Sequence, residues 1–125
     1  MGLYAVPVSS VNPVPSLTQA GFLVLLALAS GEAHGYAVMR FAEQTTDGRI
    51  RLPPGTLYRT ISRLAADGLV EEVEGQDADA PHDARRRYYR LTELGQRAAE
   101  AEAELISRLA RAASSVGLAK RGTGT

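Results

Sequence analysis

Eight arginines fall into two stretches that contain no acid. Arg49, Arg51, Arg59 and Arg63 lie within residues 49–66, and Arg85, Arg86, Arg87 and Arg90 within residues 85–92. Between them, residues 71–84 hold six acids (Glu71, Glu72, Glu74, Asp77, Asp79, Asp83) and no Lys or Arg. A guanidinium is permanently charged, and its fork of donors fits phosphate oxygens or the O6/N7 edge of guanine. Two such patches suit a polyanion, and duplex DNA is the polyanion whose bases arginine can also read. The formal net charge of zero does not oppose this, because the local field decides what a surface attracts.

Other chemistries find little support. The chain has no Cys, which excludes a disulfide framework and a thiolate metal site and fits a reducing cytosol. His34 precedes a helix and reads as a cap or structural contact. His82 lies among Asp79 and Asp83 in a loop of the kind that is normally just solvated. Ser9, Ser10 and Ser16 lack a nucleophile motif. No acid–base pair, metal cluster or phosphate loop is present, so neither an enzyme nor a cofactor or metal site is expected. The apolar run Leu17–Ala29 is too short to span a bilayer and has no basic residue before it. It reads as a buried core helix in a cytoplasmic protein.

The elements that must position the arginines follow from periodicity. At 125 residues the chain is one domain with flanking segments. Residues 1–15, with Pro7, Pro13 and Pro15, read as a flexible arm, or as one that packs on a partner subunit. A first helix is expected from an N-cap at Ser16, with Gln19 at the capping-box position, to about Ser30. A second covers Gly35–Thr45, with an apolar side of Tyr36, Val38, Met39 and Ala42. A third starts around Pro53–Pro54 and ends at Asp67–Gly68. Leu57, Ile61 and Leu64 form its buried stripe. Its opposite face carries Gly55, Arg59, Ser62, Arg63 and Ala66, with Thr56 at the edge.

Two strands, 69–74 and 86–91, then form a hairpin with a long acidic tip. Alternation puts Arg86, Tyr88 and Arg90 on one face and Arg87, Tyr89 and Leu91 on the other, so one of the two tyrosines is expected in the core. A last helix is expected from an N-cap at Thr92 to about Val116. Leu94, Ala98, Ala101, Leu105, Leu109, Ala112 and Val116 recur along it every three or four residues. A small domain cannot bury that whole stripe, so pairing with a second copy is expected. Residues 117–125 read as a disordered tail.

The fold class is therefore mainly α with a small β-hairpin: a winged helix-turn-helix over residues 16–91, plus a dimerisation helix over 92–116. A helix with an arginine-bearing face fits the major groove, and the hairpin can reach flanking phosphates. The alternative is a winged-helix module that binds protein through its acidic wing loop.

Leu17–Leu28, His34-Gly35-Tyr36, Pro54-Gly55-Thr56-Leu57-Tyr58-Arg59, Leu64 with Asp67-Gly68-Leu69-Val70, and Arg87-Tyr88-Tyr89-Arg90-Leu91-Thr92 with Gly95 resemble the PadR family of bacterial transcriptional regulators. The likeness covers roughly residues 17–112, and its short last helix resembles the compact subfamily. It implies a winged-helix homodimer, usually a repressor on a palindromic operator, released in many members by a small apolar or aromatic effector. Carried over by position, Thr56, Tyr58 and Arg59 contact double-stranded DNA, supported by Arg86, Arg87 and Tyr88. Ser62, Arg63 and Arg85 join them from the outward face and the wing base. Tyr58 sits on the helix flank, where it can meet a phosphate or pack against the wing. The wing departs from the family in its long acidic tip, so its arginine-rich base is the expected contact. The chain has no Trp, so a pocket built on Trp stacking is absent. An effector would lie between the first helix and the partner's last helix, against residues such as Phe22 and Leu105.

Overall fold

The computed structural model describes residues 17–74 and 87–119. The arm at 1–15, Ser16, most of the acidic loop with His82, Arg85 and Arg86, and the tail from residue 120 lie outside the described residues.

Among the described residues, four helices and three short strands follow one another: α1 (Gln19–Leu28), β1 (Ala33–His34), α2 (Gly35–Thr45), α3 (Pro54–Ala66), β2 (Val70–Val73), β3 (Tyr88–Leu91) and α4 (Glu93–Ser115). The expected winged-helix order is present. The cap of α1 differs from the one expected: Thr18, not Ser16, closes it, its hydroxyl accepting the Gly21 N–H at 2.9 Å. Both are good cap residues, but Thr18 places Gln19 inside the helix and not at the capping-box position.

The apolar side of α2 also needs correction. Val38 and Ala42 are buried, whereas Tyr36 is 57% exposed. Two residues span ~200° of helix, so Tyr36 and Val38 point to opposite sides. The helix ends where Asp47 (φ 56°) and Gly48 (φ 80°) adopt left-handed conformations, which breaks the hydrogen-bond ladder.

The helix α3 starts on Pro54 and buries Leu57, Ile61 and Leu64, as its stripe predicts. Gly68 (φ 80°) turns the chain out of it, and the Leu69 N–H returns to the Leu64 carbonyl at 2.9 Å. The hairpin is joined by an unforeseen third strand, giving an antiparallel sheet in the order β1-β3-β2. With only two residues, β1 shows no alternation to read. His34 pairs with Tyr88, and Glu71 and Glu72 pair with Arg90 and Tyr89.

The core joins Val24, Leu25 and Leu28 of α1 to Val38, Leu57, Ile61, Leu64, Leu69 and Tyr89. The first turns of α4 belong to it too. Ala98 is buried, and Leu94 packs against the cluster. A Cβ on Gly95 would collide with the Leu69 carbonyl, so α4 can lie this close only with a glycine there. Among the described residues, no helix is long and apolar enough to cross a membrane.

Candidate nucleic-acid interface

The anchored stripe of α3 fixes what its other side presents. Gly55, Arg59, Ser62, Arg63 and Ala66 are all exposed, and Thr56 is half-buried at the edge. The Thr60 hydroxyl is tied back to the Thr56 carbonyl at 2.8 Å. Arg59 and Arg63 line a cleft of about 480 Å3 between α3 and the start of α1, together with Leu17, Thr18, Thr60 and Asp67. Neither arginine forms an ion pair within the described residues. Their charge is available to a ligand.

Tyr58 reaches from the flank of α3 to the start of α2. It is 44% exposed, and its hydroxyl lies over Gly35, where any Cβ would strike it. The ring therefore leans on the start of α2 while keeping an open side. His34 caps that same helix end, its Nδ1 accepting the Ala37 N–H at 3.2 Å. The His34 ring also meets Tyr88 edge-on at 5.3 Å. The cap, the wing strand and the α3 flank thus share one corner of the molecule. Tyr36 stacks near His34 and lies under the Arg40 guanidinium at 5.8 Å. Sequence reasoning missed this exposed aromatic–cation pair; the helical phase of Tyr36 relative to Val38 was the signal.

The wing base is less bare than the sequence suggests. Arg90 pairs with Glu71 at 2.8 Å, and Arg87 with Glu72 at 3.7 Å. Arg51, in the other basic stretch, pairs with Glu43 at 3.6 Å. Stretches free of acid along the chain are therefore not free of acid in space: antiparallel pairing brings the β2 glutamates onto Arg90 of β3 and onto Arg87 just before it. Exposed pairs of this kind contribute only ~0–1 kcal/mol, so they restrain the arginines without locking them. Tyr89 is the core tyrosine. Burial pushes its hydroxyl above the usual 10.0, Glu72 and Tyr58 add to the rise, and Arg87 opposes it. Tyr88, on the other face, is half-buried.

The stripe of α4 divides in two. Leu94 and Ala98 are used within the chain, whereas Ala101, Leu105, Leu109, Ala112 and Val116 are exposed. Ile106, absent from the expected stripe, is 42% exposed and widens it. Phe22 is half-buried on α1, and Leu105 is 47% exposed. Among the described residues, no group of three or more His, Cys, Asp or Glu is placed to hold a metal.

The transcriptional regulator PadR-like family model matches residues 24–101. The chain is 40% identical over 90 residues to an uncharacterized 37.1 kDa protein in transposon TN4556 of Streptomyces fradiae, covering 72% of this chain and 24% of that one. It is 36% identical over 89 residues to the transcriptional regulator Rv3488 of Mycobacterium tuberculosis, covering 70% of this chain and 76% of that one. It thus spans about a quarter of the Streptomyces protein and three-quarters of the mycobacterial one. The fold is similar to a PadR family transcription regulator from Clostridium difficile, with a TM-score of 0.65 at 20% identity, covering 79% of this chain and 98% of that one. A family match over most of the chain, two exposed arginines on an anchored third helix and a wing beside them lead to one conclusion: this chain belongs to the PadR-like family of transcriptional regulators, DNA-binding proteins that are not enzymes.

Proposed function

We propose that the chain acts in the cytoplasm as a homodimeric repressor that reads a palindromic operator with two copies of α3. The observation that carries this is the pairing of an outward Arg59–Ser62–Arg63 face with an unused apolar stripe on α4. Thr56, Tyr58, Arg59, Ser62 and Arg63 enter the major groove. Arg85, Arg86, Arg87 and Tyr88 meet the flanking backbone from the wing base. The helix α4 has 23 residues, ~34 Å at 1.5 Å per residue, and its distal half buries nothing within the chain. The dimer seam is Ala101, Leu105, Leu109 and Ala112, widened by Ile106. A small apolar or aromatic effector between α1 and the partner's α4, against Phe22 and Leu105, releases the operator.

Selection of bound sites from a random duplex library tests the reading. Two inverted half-sites about one turn apart, ~34–36 Å, are expected. Affinity for the selected duplex should fall ~10³–10⁵-fold between 50 and 200 mM salt if six to ten phosphates are neutralised. Recovery of no preferred sequence, or an affinity indifferent to salt, rejects it. The protein-binding alternative has only the acidic wing as support, and competition by random genomic DNA separates the two.

A further inference from the structure

The end of α3 and the start of α4 are joined by a compact set of contacts. The Leu69 N–H donates to the Leu64 carbonyl at 2.9 Å, carrying the ladder of α3 into the turn. The Leu69 carbonyl then accepts the Thr92 N–H at 3.1 Å. The Thr92 hydroxyl does two things at once. It accepts the Gly95 N–H at 2.9 Å, capping α4, and donates to the Gly68 carbonyl at 2.7 Å. Gly95 seats the first turn of α4 against the Leu69 backbone, where no larger residue fits. Leu94 closes the other side, with Cδ2 3.8 Å from where a Cβ on Gly68 would stand.

Capping α4 requires only the acceptor function of Thr92. Its donor function goes to Gly68, in the turn that follows α3, and that is a different task. We propose that Thr92 is a positioning residue for operator recognition: it fixes the angle between α3 and α4, and so sets the distance between the two α3 helices of a dimer. This rests on the homodimer reading above. A dimer joined through the distal half of α4 has its two reading helices as far apart as this joint dictates. Slack in the joint spreads that distance over several base-pair spacings, while each α3 still reads its own half-site.

The hydroxyl's two roles can be separated by substitution. Thr92→Asp keeps a good cap acceptor but cannot donate to Gly68. Thr92→Ser keeps both functions. The full chain is tested on the selected duplex, on the same duplex with its spacer changed by one and two base pairs, and on a single half-site. Sedimentation and circular dichroism report assembly and folding. For the unmutated chain, a two-base-pair change should cost about tenfold or more in affinity. Thr92→Asp should remain dimeric and bind the single half-site as before, while its spacing penalty shrinks about fivefold, the scale of one hydrogen bond. Thr92→Ser should restore the penalty.

A spacing penalty unchanged in Thr92→Asp, or one lost equally in Thr92→Ser, overturns the proposal. If Thr92→Asp does not fold, Thr92→Gly takes its place, since glycine is tolerated as an N-cap. Loss of folding in both makes the residue structural and overturns the positioning role. An unmutated chain that stays monomeric, or binds two half-sites no better than one, refutes the dimer reading itself and is distinguished by that result.

Discussion

Arg59 and Arg63 differ from the arginines of the wing in what they must give up to meet DNA. The first two have no ion partner among the described residues, whereas Arg87 is held by Glu72 and Arg90 by Glu71. Arg59→Ala should therefore lose ~1–3 kcal/mol of binding and relax the preference at one operator position. Competition among single-base operator variants reads this, and an equal loss on every sequence would reassign Arg59 to the backbone. Glu72→Gln should act the other way. Freed of its carboxylate, Arg87 is expected to raise affinity for random duplex severalfold at low salt, and the gain should vanish at high salt. Tyr89 gives a third expectation. Its hydroxyl titrates above 10.0 in the folded chain, chiefly through burial. A raised folded value means full stability below the unfolded value and loss as pH rises through the folded one. Urea unfolding should thus show stability falling above about pH 10, and less steeply in Tyr89→Phe.

Among the elements, the helices were legible and the sheet was only partly so. The stripe Leu57, Ile61, Leu64 located α3 and the direction of its outer face, because a 3.6-residue period over thirteen residues leaves little ambiguity. Thr92 and His34 declared their caps by type and place. The two-residue β1 left no pattern, and the pairing of Glu71 with Arg90 depends on a register that runs across a loop. Arg87 and Arg90 lie in a stretch without acid along the chain but meet Glu72 and Glu71 on the surface. In the sequence Gly95 reads as a motif residue in the first turn of the last helix; in the fold its missing side chain is what lets α4 touch Leu69. Gly95→Ala should destabilise the fold by ~1–3 kcal/mol or more, since overpacking here meets backbone and not a movable side chain. Equilibrium unfolding measures this, and a shift below 0.5 kcal/mol would mean that α4 is less tightly seated than described.

For the whole molecule, the division of α4 makes folding and assembly partly separate. Its first turns are held by Ala98 and Leu94, and the rest offers Leu105, Ile106 and Leu109 to solvent. Leu105→Glu should give a folded monomer, because the charge would be buried only in the seam. Sedimentation should show the lower mass and shift assays a strongly weakened affinity for the paired half-sites. A Leu105→Glu chain that stays dimeric would move the seam elsewhere on the helix.

The ion pairs at the wing base also bear on how long such a protein lingers at wrong addresses. A genome offers ~10⁶–10⁹ competing sites, and attraction to any of them grows with the number of positive charges free to displace counterions. On the proposed operator reading, a regulator with a formal charge of zero, and with Arg87 and Arg90 engaged by its own carboxylates, should have a weak hold on random sequence. It would open those pairs only where α3 has found its bases and the wing is pressed against the backbone. The glutamates of β2 would thereby shorten the stops along the search and leave the final grip to the site that fits.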